Sequence, residues 1–141
     1  MSEALVTSQY EAAANQSLVC QFRQAKLRGI IKKVWATISG QPNNLVDVET
    51  AMQGKSIRCC RYAGSQTVPI QQIKGSEGRC QDFDQSFNPL KSHNQNRWVS
   101  IASAWQREIF LPAVDLIKIG DIFIVRDGNH RISVAMFMGT E

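Results

Sequence analysis

Apolar residues recur at helical spacing early in the chain. In "CQFRQAKLRGIIKKVWATISG", Leu27, Ile30, Ile31, Val34, Trp35 and Ile38 advance in steps of three and four and so share one helical face. The spacing predicts a helix from about Ser8 to Ser39, stopped by Gly40 with Pro42 just beyond it. "NNLVDVETAMQGKS" reads as a short capped helix ending at Gly54. Alternating and β-branched residues from Thr67 to Ile73, bounded by Gly64, Gly75 and Gly78, read as a strand. From Asn96 the pattern is helical again, with Trp98, Ile101, Ala102, Trp105 and Ile109 on one core-facing stripe that Pro112 ends. Two β-rich runs then meet at Gly120-Asp121, the signal of a two-residue type II′ hairpin. The second run, Ile122 to Val125, is continuously apolar and should be buried on both faces. A last helix, Arg131 to Met138, turns Ile132, Ala135 and Met136 inward and closes at Gly139.

A length of 141 residues with 43% hydrophobic content suits one compact domain with a small appendage. No apolar run approaches the roughly 18 residues of a membrane span, and the N-terminus lacks the basic and apolar regions of a secretory leader. The expected chain is soluble and cytoplasmic. Cys20, Cys59, Cys60 and Cys80 show no C-x-x-C spacing and no histidine cluster, so they read as reduced thiols, with the adjacent Cys59 and Cys60 as plain strand residues. His93 and His130 are the only histidines and lie far apart in sequence, so no metal site is expected.

Charge is uneven. Residues 1–76 carry nine Lys/Arg against four Asp/Glu, whereas residues 77–141 carry seven against eight. The densest cations, Arg23, Lys26, Arg28, Lys32 and Lys33, fall in a stretch without acids from residue 12 to residue 46. They read either as the solvated face of a packing helix or as a contact to nucleic-acid phosphates.

Candidate chemistry concentrates in "VRDGNHRISVA". An apolar strand runs into Asp127-Gly128, and Asn129 is a favoured helix N-cap residue. Gly128 lets the backbone turn closely, and the helix that follows presents unpaired N–H groups and a positive dipole end. Arg131 can grip phosphate oxygens with a planar fork, and His130 adds a donor beside it. The bland reading keeps the same corner and lets Arg131 merely pair with Asp127. Upstream, "GRCQDFDQSF" offers Arg79, Asp82 and Asp84. A carboxylate there could orient Mg²⁺ or accept a hydroxyl proton, or Asp82 could cap a short helix above Phe83 and Phe87. No G-x-S-x-G, H-E-x-x-H or Walker motif occurs.

The blocks "VPIQQI", "GSEGRCQDFDQSF", "RWVSIASAW" and "LPAVDLIKIGDIFIVRDGNHRISVAMFMG" resemble the ParB/sulfiredoxin superfamily over Val68 to Gly139, and uncharacterised bacterial ParB-like proteins above all. The resemblance implies an α+β fold: a small mixed sheet with packed helices over residues 65–141, preceded by a basic helical extension over residues 1–64. It implies a phosphate- or nucleotide-binding turn at Asp127, Gly128, Asn129, His130 and Arg131, with Arg79 nearby and ATP, ADP or CTP with Mg²⁺ as ligand. Asn129 stands where sulfiredoxins carry their nucleophilic cysteine, and an amide cannot do that work. Free-serine kinases of the same fold carry a similar Asp-Gly-His turn and a carboxylate from an earlier loop, a role open to Asp82 or Asp84. The superfamily helix after the turn feeds a further strand, whereas only Thr140 and Glu141 follow Gly139, so either a truncated chain or a homodimer that covers the open sheet edge is expected. A nucleotide-binding regulatory or nucleic-acid-associated domain comes first among the functions implied, a small-molecule phosphotransferase second and a non-catalytic protein-interaction module third.

Overall fold

The computed structural model describes residues 2–55 and 60–140. Its architecture is α+β: a three-stranded sheet with four helices. Helix α1, Ser2–Ser39, runs to the predicted stop, where Gly40 turns the chain with φ 68°. The short helix α2, Val48–Met52, is capped by the Asp47 carboxylate, which accepts from the Val48 N–H at 2.8 Å. Strand β1 is Ile73–Ser76, helix α3 Gln95–Gln106, strand β2 Asp115–Ile119, strand β3 Ile122–Asp127 and helix α4 Asn129–Phe137.

The hairpin forms where the Gly120-Asp121 pair predicts it. Gly120 has φ 63°, as the first central position of a II′ turn requires, and β2 pairs antiparallel with β3. Strand β3 is central: β1 lies parallel on its other side, so Ile124 and Val125 are fully buried. The first strand is displaced from its expected place. Residues 70–72 form a 3₁₀ turn, and the strand begins at Ile73 and passes through Gly75, which had read as its boundary. The missing side chain is the reason. A Cβ at Gly75 would overlap both the Val46 carbonyl and the Ile124 side chain, and Val46 bridges Gly75 in parallel along the outer side of β1.

Two apolar clusters hold the layers together. Leu45, Ile70, Ile73, Phe83, Phe87, Val125, Ile132 and Ala135 fill the space between the sheet and α4. Leu18, Phe22 and Ala25 of α1 pack with Trp98 and Ala102 of α3 and Val134 of α4. Helix α4 contributes to both. Leu45 and α1 both lie before residue 64, so the expected boundary at 64/65 runs through shared cores rather than between separate ones.

Several sequence expectations are corrected here. The large apolar stripe of α1, Leu27 to Ile38, is exposed, and the buried face is Leu18, Phe22, Ala25 and Gly29. Small residues permit this close approach: a Cβ at Gly29 would sit 3.0 Å from both Asn88 Cβ and Leu90 Cδ2. Helix α3 stops at Gln106, and Trp105 and Ile109 stand outside the core at 37% and 49% exposure. Cys60 lies in a loop rather than a strand, and Cys59 falls outside the described residues. Among the described residues, no helix is long and apolar enough to cross a membrane.

Gly75→Ala is expected to lower the unfolding free energy by about 1–3 kcal/mol, the usual cost of forcing extra volume into a packed site. Urea titration followed by far-UV circular dichroism measures it, with an unchanged midpoint as the contrary result.

Candidate functional site

The turn between β3 and α4 needs glycine twice over. Gly128 holds φ 107°, and a Cβ there would meet Val114 Cγ1 at 2.6 Å. Helix α4 then starts at Asn129, two residues before the predicted Arg131, and no side chain caps it. Its first-turn N–H groups have no intrahelical carbonyl to bond, so this end carries a partial positive charge. Asn129, expected as the N-cap, instead accepts from Ser76 Oγ through its Oδ1 at 2.6 Å and ties the start of α4 to the end of β1.

Arg131 is committed to the scaffold. Its Nη1 donates to the carbonyls of Pro112 at 2.6 Å and Ala113 at 3.0 Å, and its Nη2 pairs with Asp127 Oδ2 at 2.8 Å. The guanidinium braces the segment leading into β2, with Asp127 as its exposed counter-ion. This is the arrangement of the bland reading.

His130 opens the chemistry. The ring is 8% exposed and stands edge-on to Phe83 at 5.3 Å. Asn94 Oδ1, at 3.2 Å, accepts from His130 Nε2 in the neutral tautomer that leaves Nδ1 as an acceptor. Asn94 is itself buried, and its Nδ2 has no partner. Burial, and then the cations Arg97 and Arg79, push the imidazole pKa from 6.5 down to about 4; Asp82 opposes the shift and His93 adds to it. His130 is neutral at physiological pH.

Asp82 lies at the base of a half-exposed ring of cations. Arg79 Nη1 is 3.1 Å from its carboxylate, and Lys91 Nζ and His93 Nε2 are each 3.6 Å away. Burial pushes this carboxyl up, but the Arg79 hydrogen bond and the charges of His93, Lys91 and Arg79 outweigh burial and hold it below its ordinary value. Asp84 serves the loop instead: Oδ1 accepts from the backbone N–H groups of Ser86 and Asn88, and Oδ2 accepts from the Asn88 side chain. Phe83 and Phe87 are buried beneath a turn, not a helix, and Phe87 has φ 57°. Cys80, whose thiol burial pushes up, donates to the Ser76 carbonyl at 3.1 Å. It is no activated nucleophile.

Arg79, Asp82 and His130, named from sequence, thus come together, while Asp84 and Arg131 are engaged elsewhere. Lys91, His93, Asn94 and Arg97 are the additions. Their signal was the polar run "KSHNQNR" at the start of α3, which places three basic groups within seven residues. Mg²⁺ finds no fitting set of protein ligands. Asp82 is spent on cations, Asp84 on its own loop and Asp127 on Arg131, and among the described residues no three His, Cys, Asp or Glu gather as metal ligands.

The basic helix reads differently in three dimensions. Lys26 Nζ donates to Ser92 Oγ at 2.6 Å, Lys32 Nζ donates to Ser86 Oγ at 3.1 Å, and the Arg28 guanidinium lies 5.4 Å from the Phe137 ring centre. Three of the five helix cations therefore contact the body of the molecule, and Arg23 and Lys33 are exposed. Two concavities, of about 460 and 280 Å³, lie between α1 and α3 and beside the end of α1, away from the turn. The chain matches no protein-family model, no curated protein and no solved structure.

A pH signature follows from His130. Between pH 6.5 and about 4 the unfolded chain binds a proton that the folded chain refuses, so stability falls as pH falls through that window. Asp82, whose pKa is lowered, adds a loss of the same sign from about pH 5 downward, so the His130 contribution is read in the upper part of the window. Urea unfolding at a series of pH values should show the slope in the wild type and lose it in His130→Gln; parallel profiles would contradict the assignment.

Arg131→Ala should cost about 2 kcal/mol or more, because it strands two carbonyls and Asp127, and Arg131→Lys should recover only part of that. Thermal unfolding reads it. Full recovery by lysine would contradict the bracing role.

Proposed function

We propose that the chain is a phosphate- or nucleotide-binding domain of the ParB/sulfiredoxin kind, acting as a regulatory binder. One observation carries this reading: Arg79, Lys91 and His93 lie around the buried Asp82 carboxylate, while Arg97, Arg79 and His93 act on the His130 imidazole in the first turn of α4, an N-terminus that no side chain caps. Three obligate cations against one anion leave the cluster short of negative charge. An arriving phosphate supplies it and accepts from the first-turn N–H groups of α4.

Binding is favoured over turnover. A phosphotransferase needs a carboxylate free to take a hydroxyl proton. Asp82, depressed and held by Arg79, Lys91 and His93, is a weak base, and Asp84 has no free role. Nucleic acid becomes a secondary ligand, because the lysines nearest the body already have partners.

Calorimetry with ATP, CTP and inorganic phosphate tests the site. The wild type should bind at least one of them, and Arg97→Ala and Arg79→Ala should each weaken binding by about tenfold to a hundredfold, the worth of a charge-assisted hydrogen bond. Arg131→Ala should spare affinity in the fraction that stays folded. No binding by the wild type, or unaltered affinity in both arginine variants, contradicts the proposal.

A further inference from the structure

Helix α1 has two opposed faces. At about 100° per residue, the buried Leu18, Phe22, Ala25 and Gly29 line one side, and Leu27, Ile31, Val34 and Ile38 lie about 180° away. Those four are 57%, 48%, 52% and 73% exposed, and Ile30 and Trp35 flank them at 42% and 66%. Among the described residues, none covers this stripe. Its spacing of four, three and four residues is that of a coiled-coil seam.

We propose that this seam pairs with the same seam of a second copy of the chain, antiparallel, about a twofold axis passing between Lys32 and Lys33. The stripe is self-complementary in that register: Leu27 meets Ile38 of the second copy, Ile31 meets its Val34, and the same layers repeat in reverse. The six side chains expose on the order of 700 Å² per chain, near the roughly 800 Å² per partner of a standard interface and above the size of an ordinary monomer's apolar patch. Charge selects the direction. Arg23 and Arg28, the latter with its guanidinium over the Phe137 ring, stem from positions on either side of the seam, and a parallel pair would bring the two together on both sides, whereas the antiparallel register keeps them apart. Continued toward the N-terminus, the same register meets Gln24, Cys20 and Ser17, so the apolar contact is confined to residues 27–38. The body of the molecule packs on the opposite face and leaves the second helix room to dock. A polyanion or an anionic membrane is the poorer occupant, because the seam is uncharged and Lys26 and Lys32 are directed to Ser92 and Ser86.

Sedimentation velocity of the full chain from about 1 to 100 µM, the range expected for an interface of this size, reads the assembly. The expected result is a dimer that dissociates in Ile31→Glu and in Val34→Glu. Both positions are about half exposed, so circular dichroism should show the helices retained. Leu27→Cys and Ile38→Cys chains, mixed and oxidised, should form a bridge between positions 27 and 38 of different chains. A wild-type monomer throughout the range overturns the proposal. So does a dimer that persists in both glutamate variants, a bridge joining position 27 to position 27, or a wild-type monomer that co-sediments with anionic vesicles through this face.

Discussion

The burial of α4 from two sides is the constraint on which the rest depends. Ile132 and Ala135 fix it against the sheet, and Val134 fixes it against α1 and α3. A nine-residue helix held in this way cannot slide or roll without opening one core. Its N-terminus is therefore set in space by packing rather than by a cap. The cap residue is dispensed with, and Asn129 is released to bond Ser76 across to β1. Gly128 and the Arg131 brace then complete the corner between β3 and α4.

Electrostatics give that corner its direction. His130 stays neutral because burial and two arginines oppose its proton, and Asp82 stays charged because the Arg79 hydrogen bond and its basic neighbours outweigh its burial. Positive charge adds to burial at His130 and overrides it at Asp82. The half-exposed cations are solvated, and Asp82 neutralises only part of their charge, so the surface around it is attractive to an anion. The helix end adds to the same potential. Cations and helix end thus act in the same direction.

Much of the fold was legible from local chemistry. Gly40 stops α1, Gly120-Asp121 makes the hairpin, and the apolar run after it becomes the central strand, since each rests on backbone freedom or short-range periodicity. What failed depended on partners distant in sequence. The largest apolar residues of α1 pointed to Leu27 through Ile38 as the core face, but the tight contact with residues 88–90 uses Gly29, which carries no hydrophobic signal. Gly75 likewise read as punctuation, though it lies within β1 because Val46 needs its space. At the site, Arg79, Asp82 and His130 could be named from their motifs. The purpose of Arg131 could not, because the Pro112 and Ala113 carbonyls it holds are nearly twenty residues away, and the cations at the start of α3 looked like an ordinary solvated turn.

The claim at the centre is that the start of α4 and the ring around Asp82 form one anion-binding surface. Titrating inorganic phosphate and then a nucleoside triphosphate into ¹⁵N-labelled protein, with backbone amides followed by two-dimensional NMR, tests it most directly. The predicted result is saturable shifts confined to Gly128–Arg131, Arg79 and residues 91–97, largest at the α4 first-turn amides. Shifts absent from those amides at saturating ligand, or confined to the lysines of α1, would contradict it.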